Sequence, residues 1–242
     1  YNFSVIKNKM TELNGVDYIG LSSSELHGRN FDQETSRSAV GQPIGSFFVY
    51  EADGLFQSDA EIQNYKNDKG ELLQPNAKPG DIRFKDLNGD GVINSEDRDF
   101  VGSPLPDCSM GLTLGFNYKN FDFSFFVVGF HGFDIYNATH QMGYNLIKSQ
   151  QVAGVTPMRE LLNRWTPTNT NTNIPGFVNG GTENKDFFST RFVENGSFIK
   201  MKSITLGYTL PETACRALGI TNLRVYASVQ NPFHITNYSG LD

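Results

Sequence analysis

The sequence predicts an all-β fold, a segment of an antiparallel transmembrane β-barrel with long extracellular loops, and three observations carry that expectation. Of 242 residues, 20 are Phe, 10 are Tyr, 24 are Gly and only 1 is Trp, a mixture that suits pleated strands and turns rather than helices. Several segments alternate apolar and polar residues with period two, which places one set on each face of a strand. Some neighbouring strands are joined by tight turns, while others are separated by stretches well beyond the roughly 12 to 15 residues that structureless loops reach in compact domains. No apolar run approaches the about 20 residues that a membrane-spanning helix needs, so a helical membrane protein is excluded.

Taken in order, residues 1–5 (Tyr-Asn-Phe-Ser-Val) already read as strand. They have no initiator Met, basic leader or apolar signal segment, so the chain is expected to be a piece of a longer one. In residues 110–119, Leu112, Leu114, Phe116 and Tyr118 share one face, and Gly111, Thr113, Gly115 and Asn117 the other. After a tight Lys119-Asn120 connection the pattern returns, with Phe121, Phe123, Phe125 and Val127 opposite Asp122 and Ser124, as expected of a hairpin. Residues 198–210 set Ile204, Leu206, Tyr208 and Leu210 against Ser203, Thr205, Gly207 and Thr209, and residues 223–230 set Leu223, Val225, Ala227 and Val229 against Arg224, Tyr226, Ser228 and Gln230. Both runs approach the about 9 to 11 residues with which a tilted strand crosses a bilayer. Their connector, residues 211–219, has room for one helical turn.

The long connections are residues 15–42, 58–107 and 132–193. The last contains the polar tract of residues 166–173 and the Gly/Asn-rich residues 178–181. Within it, Met158, Leu161, Leu162 and Trp165 recur at helical spacing behind Pro157, which predicts a small helix over residues 157–165. A water-soluble sandwich with its apolar faces packed together gives the same alternation. The asymmetry favours the barrel, in which periplasmic turns are short and extracellular loops long. On that reading Leu112, Leu114, Phe116, Phe123, Phe125, Ile204, Leu206, Val225 and Val229 meet lipid, while Thr113, Asn117, Ser203, Thr205, Arg224 and Gln230 face the lumen.

The net charge is −6, with a sequence pI of about 5.2, and no Lys/Arg stripe offers phosphate contacts, so no nucleic-acid partner is expected. Cys108 and Cys215 lie too far apart in sequence for a zinc knuckle or a redox dithiol, and a single disulfide or two small buried residues both remain open. The histidines His27, His131, His140 and His234 are scattered, and no metalloprotease, nucleophile-elbow or phosphate-loop motif is present. With no nucleophile, base or metal constellation in view, the chain is not expected to be an enzyme.

One motif carries chemistry. Residues 86–97, Asp-Leu-Asn-Gly-Asp-Gly-Val-Ile-Asn-Ser-Glu-Asp, place oxygens at loop positions 1, 3 and 5, Gly at 6 and an acid at 12, the EF-hand calcium pattern. Calcium takes about six to eight hard oxygens in flexible geometry. The expected ligands are Asp86, Asn88, Asp90, the Val92 carbonyl, Asn94 (directly or through water) and Asp97, holding one structural Ca²⁺. Asp97 stands where a longer Glu is usual, and residues 80–85 read as extended rather than helical, which argues against a paired sensor EF-hand. An ion-free Asx-rich turn is the alternative.

This segment also opens a wider likeness. Asn76-Ala77-Lys78-Pro79-Gly80-Asp81-Ile82-Arg83-Phe84-Lys85-Asp86, running on to Ile93, resembles a stretch of SusC/RagA-type TonB-linked outer-membrane proteins of Bacteroidetes. Gly41-Gln42-Pro43-Ile44-Gly45, Tyr118-Lys119-Asn120-Phe121-Asp122, Arg164-Trp165-Thr166-Pro167, Leu206-Gly207-Tyr208, Gln230-Asn231-Pro232-Phe233 and Tyr238-Ser239-Gly240-Leu241-Asp242 agree in the same order. The resemblance covers nearly the whole chain. It implies that residues 1–242 are the C-terminal portion of a TonB-dependent transporter barrel of roughly 22 strands, with the N-terminal plug and earlier strands lying outside this chain. It further implies a bacterial outer-membrane location, a SusD-like lipoprotein lid, energy from the TonB complex, and uptake of oligosaccharides or, in some members, peptides. Tyr136, Tyr144, Trp165 and Phe177 are the loop aromatics that could stack on a substrate or, equally, anchor their own loops.

Overall fold

The structure, a computed structural model, is described for residues 1–22, 34–144, 158–176 and 188–240. Strands dominate: β1 (Asn2–Val5), β2 (Tyr18–Ser22), β3 (Glu34–Ala39), β4 (Ser46–Tyr50), β5 (Ala52–Leu55), β6 (Ile82–Phe84), β7 (Arg98–Gly102), β8 (Cys108–Tyr118), β9 (Phe121–His131), β10 (Asp134–Tyr136), β11 (Val193–Asn195), β12 (Phe198–Thr209) and β13 (Arg224–Thr236). The α-helices are short: α1 (Asp59–Asn64), α2 (Ala138–Tyr144) and α3 (Glu212–Ala217). No described helix is long and apolar enough to cross a membrane. The chain divides into two compact units, one of residues 1–7, 105–134 and 195–238, the other of residues 8–104, 135–194 and 239–242.

The first unit is an antiparallel sheet ordered β1-β8-β9-β12-β13. Its register joins the separate sequence patterns. Leu112, Leu114, Phe116 and Tyr118 of β8 stand opposite Val127, Phe125, Phe123 and Phe121 of β9. The rows continue from Phe125 through Ile204 to Val229, and from Phe121 through Tyr208 to Val225. Directly opposed residues share a face, so four alternating strands become one continuous apolar surface. The other surface carries Thr113, Asn117, Ser203, Thr205 and Arg224, with Thr205 Oγ1 and Ser228 Oγ 2.9 Å apart and Arg224 bridging to Asp122 at 2.6 and 2.9 Å. That ion pair lies over Gly207, where a Cβ would sit 2.4 Å from Asp122 and 2.5 Å from Arg224.

Connection lengths sort by strand end. The β8-β9 turn, with Lys119 at φ 53°, and the α3 connector meet at one end, where the Thr209 N–H donates to the Asn120 carbonyl at 2.8 Å. The two long connections of this sheet leave from the other end, β1 to β8 beyond Val5 and Cys108 and β9 to β12 beyond His131 and Phe198. Lys202 is a bulge in β12, facing Asn231 (φ 47°) and Pro232 on β13. Proline lacks a ladder donor and is tolerated at bulges and edges. β13 runs further than residues 223–230, reaching Thr236, because this bulge restores pairing after a sequence that otherwise reads as a break.

The second unit holds the core. Tyr50, Leu55, Ile82, Phe84 and Trp165 cluster, with Val49, Phe56, Ile62 and Phe192 also buried. Its strands form a sheet ordered β2-β3-β4-β7 and the pairs β5-β6 and β10-β11. Most of these strands fall in stretches that the sequence reads as loops. β3 (Glu-Thr-Ser-Arg-Ser-Ala) has no apolar face because Arg37 takes its place. The guanidinium lies 3.7 Å from the Tyr18 ring centroid and 3.8 Å from that of Phe48, and Glu34 accepts two hydrogen bonds from it at 2.7 Å. That carboxylate raises the Arg37 pKa further against the opposing effect of burial.

The helix expected over residues 157–165 is a 3₁₀ turn, Arg159–Asn163; Pro157 lies outside the described residues. The Trp165 N–H donates to the Ile174 carbonyl at 2.8 Å, which removes the next helical hydrogen bond. Leu161 and Trp165 are buried, and Leu162 is left 80% exposed. Both cysteines are free, with Cys215 buried in α3.

Candidate metal loop and membrane surface

The loop between β6 and β7 is built on backbone N–H groups satisfied by its own side chains. Asp86 accepts from Gly89 (2.7 Å) and Gly91 (2.9 Å), and Asn88 accepts from Asp90 at 2.9 Å. Asp90 in turn accepts from Val92 at 2.8 Å. Asp97 accepts from Leu87 (2.9 Å) and Asn94 (2.7 Å), closing residue 97 back onto residue 87. Gly91, at φ 88°, is required twice over, since a Cβ there would also lie 2.5 Å from the Asn67 side chain. Asn67 anchors the loop through its amide on the Gly91 carbonyl at 3.2 Å.

The result brings one oxygen each of Asp86, Asp90 and Asp97 within 4.8 Å of one another. Asn88 and Asn94 approach through their amide nitrogens, both on Asp90 (3.1 and 3.2 Å), and Asn94 also donates to the Val92 carbonyl at 3.3 Å. Three carboxylates converging on a small space give hard oxygens of the kind Ca²⁺ takes. Asn88 and Asn94 turn nitrogen, not oxygen, towards it, because their oxygens accept from the Asp90 N–H at 2.9 Å and the Glu96 N–H at 2.7 Å; direct coordination by either needs an amide rotation, and coordination by Asn94 through water does not. The Val92 N–H, then Asn88, hold the Asp90 carboxyl below its ordinary range, with burial opposing.

A second polar group, which the sequence does not announce, joins three distant segments. Glu194 accepts from the Ser239 hydroxyl (2.7 and 2.8 Å), the Ser239 N–H (2.9 Å) and the Asn137 amide (2.8 Å), and lies 3.5 Å from His140 Nδ1. The residue types resemble a hydrolase triad, but the hydroxyl is bonded to the carboxylate and lies 3.4 Å from the imidazole, so the group clamps rather than activates. Burial pushes Glu194 up, yet the Ser239, Asn137 and His140 contacts outweigh it and leave its pKa lowered. The sign follows: a depressed carboxyl stabilises fully above the ordinary glutamate range, and that contribution is lost as pH falls through the lowered folded value. Protection of the Ser239 amide, its exchange rate relative to the unfolded chain at the same pH, is expected to hold through neutral and mildly acidic pH and to fall only in stronger acid. Glu194→Gln should abolish that pH step.

Of the loop aromatics, Trp165 and Tyr136 are anchors. The Trp165 indole packs on Gly80 and Gly176 and donates to Gln57 at 2.8 Å. Tyr136 sits among Phe47, Phe188 and Phe192 at 5.8 to 6.2 Å, and burial drives its pKa well above the usual tyrosine value. The side chains of Tyr144 and Phe177 lie outside the described residues.

The apolar sheet surface is uncovered. Leu114 is 49% exposed, Phe116 62%, Val225 58% and Val229 53%, with Leu206 also exposed. Leu112, Phe123, Phe125 and Ile204 are half-buried, shielded by flanking rings such as Phe116 against Phe123 at 5.2 Å and Phe123 against Phe125 at 6.0 Å. A sandwich would bury such a face.

No protein-family profile matches the chain. TonB-dependent receptor P3 of Formosa agariphila is 33% identical over 242 residues, covering all of this chain and 22% of that receptor. TonB-dependent receptor SusC of Bacteroides thetaiotaomicron is 30% identical over 247 residues, covering all of this chain and 21% of SusC. The chain belongs to the SusC/RagA family of TonB-dependent receptors. It spans about a fifth of the length of these curated relatives. A solved structure of the RagAB peptide transporter superposes on 98% of the chain with a TM-score of 0.70 at 21% identity, covering 23% of that chain. The family's barrel fold accounts for the exposed face: the five-stranded sheet is a section of barrel wall.

Proposed function

We propose that this chain is the C-terminal portion of the barrel of an outer-membrane transporter that imports oligosaccharides or peptides with energy from the TonB complex, under a SusD-like lipoprotein lid. The observation that carries this reading is the five-stranded sheet, with a continuous apolar surface that is exposed, the short β8-β9 and β12-β13 connections at one strand end and the long β1-β8 and β9-β12 connections at the other. That arrangement suits a wall between lipid and lumen, with long segments outside the cell. The relatives add support, since they are TonB-dependent receptors and RagAB is a peptide transporter. A soluble calcium-binding sandwich that recognises glycans is disfavoured by the uncovered apolar face. The uptake test is genetic. A strain lacking the receptor should lose growth on a defined oligosaccharide as sole carbon source or on peptides as sole nitrogen source, and the gene should restore it; unimpaired growth on both would contradict import.

We further propose that the loop of residues 86–97 binds one Ca²⁺ through Asp86, Asn88, Asp90, the Val92 carbonyl, Asn94 by way of water, and Asp97. The ion would relieve repulsion among the clustered carboxylates and tie the end of β6 to the start of β7, without entering any reaction. Stabilisation grows with the ratio of ion concentration to dissociation constant, reaching about 2.7 kcal/mol at a hundredfold excess. Millimolar calcium is expected to slow amide exchange in residues 86–97 of the parent protein and to leave it unchanged in Asp90→Asn, with strand exchange the same in both. No calcium response in the parent loop would exclude the ion.

A further inference from the structure

We propose that the apolar surface carries a lipid-binding notch at the strand end from which the long connections leave, and that it seats the acyl chain of a membrane lipid with the head group at a polar rim. The inference rests on the lipid-facing reading of that surface. A cavity of about 240 Å³ lies there, lined by Met110, His131, Ser197, Ile199, Ile235 and Asn237 together with Phe130, Phe198 and Thr236.

Register decides which surface it opens on. Ile199 pairs with Ile235 on one side and with Gly129 on the other, and Gly129 pairs with Met110. These positions continue the apolar rows of Leu112 and Val127. His131 follows Gly129, Ser197 precedes Ile199 and Asn237 follows Ile235, each at a spacing of two, so six of the nine lining residues belong to the apolar face. Phe130, Phe198 and Thr236 alternate with them along the strands.

Gly129 sets how Met110 lies along the wall of the notch. A Cβ there would come within 2.9 Å of Met110 Cγ, 3.2 Å of Met110 Sδ and 3.4 Å of the Phe198 carbonyl. Without it, Met110 leans over bare backbone, and Ile199 and Ile235 remain 44% and 66% exposed beside it. The polarity is graded along the strand axis. Apolar Met110, Ile199 and Ile235 lie towards the middle of the sheet, while imidazole, hydroxyl and amide groups of His131, Ser197 and Asn237 lie at the strand ends. A flexible apolar chain with oxygen-rich acceptors at one end has the same polarity, and the notch is continuous with the surface that bulk lipid would cover.

The test uses the complete receptor in vesicles of phosphatidylethanolamine and phosphatidylglycerol. A trace of the phosphatidylethanolamine carries a photoactivatable diazirine on one acyl chain, near the glycerol. Adducts mapped by peptide mass spectrometry are expected on Met110, Ile199 and Ile235, several-fold above those on Tyr208 and Val225 at the opposite rim of the same face. Gly129→Leu, which pushes the Met110 side chain off the backbone and into the notch, should bring the two rims to equality; Ile235→Ser, a milder change on an exposed wall, should do so even if the first variant fails to assemble. Equal labelling of both rims in the parent protein would overturn the notch while leaving the lipid-facing surface intact. Absence of adducts from the entire apolar face would overturn that underlying reading instead.

Discussion

Leu114→Lys is expected to weaken the receptor in lipid by about 2 to 4 kcal/mol, the cost of lysine near the midplane of a barrel wall. Leu114 lies midway along β8, in a row with Phe125, Ile204 and Val229. Its exposed surface would meet hydrocarbon, where an ammonium group finds neither water nor a partner. Thr113, one residue away, points to the other surface, so Thr113→Lys should cost far less. Urea titration of the receptor folded into phospholipid vesicles reads both variants, and comparable losses at the two positions would contradict the assignment of faces.

The second large effect lies in the other unit. Trp165→Ala should cost about 3 to 5 kcal/mol, the usual range for deleting a buried aromatic, because three interactions fail together. The indole fills the space over Gly80 and Gly176, packs in the cluster of Tyr50, Leu55, Ile82 and Phe84, and satisfies Gln57 by its N–H. Gly80 has φ 89° and a hypothetical Cβ 2.5 Å from the ring, so this glycine and this tryptophan fit only each other. Thermal unfolding should show early loss of protection at residues 80–84 and 174–176 in the variant, while the β8-β9 hairpin stays protected. Uniform loss across both units would mean that the tryptophan does not act locally.

Legibility in the sequence followed the strength of period-two patterning. β8 and β12 were readable because one face is apolar and the other mostly small or polar; β9 was readable from its first half, since Phe126, Val128 and Phe130 make its second face apolar further on, and Lys119-Asn120 leaves room for nothing but a turn. β13 was readable only as far as Gln230, since Asn231-Pro232 looks like a break and becomes a bulge only opposite Lys202. The sheet of β2, β3, β4 and β7 was hidden for a different reason. β4 is an unbroken apolar run, and β3 is polar because an arginine held between two rings and a carboxylate replaces the expected apolar row. Such pairings join residues far apart in sequence and leave no periodic trace. The tight turn of residues 86–97 was legible because most of its hydrogen bonds are local, the Asn67 anchor excepted, whereas the Glu194 clamp draws on residues 137, 140 and 239 and has no motif.

In the membrane the apolar surface of β8, β9, β12 and β13 is expected to face lipid, and its reverse is not. The most direct measurement places a nitroxide label in turn at residues 203 to 208 of β12 in the complete receptor in vesicles, and compares collision with oxygen, which concentrates in hydrocarbon, against a water-soluble nickel chelate. That orientation predicts high oxygen accessibility at Ile204, Leu206 and Tyr208, alternating with low oxygen accessibility at Ser203, Thr205 and Gly207. Equal accessibility at all six positions, or an alternation of opposite phase, would contradict it.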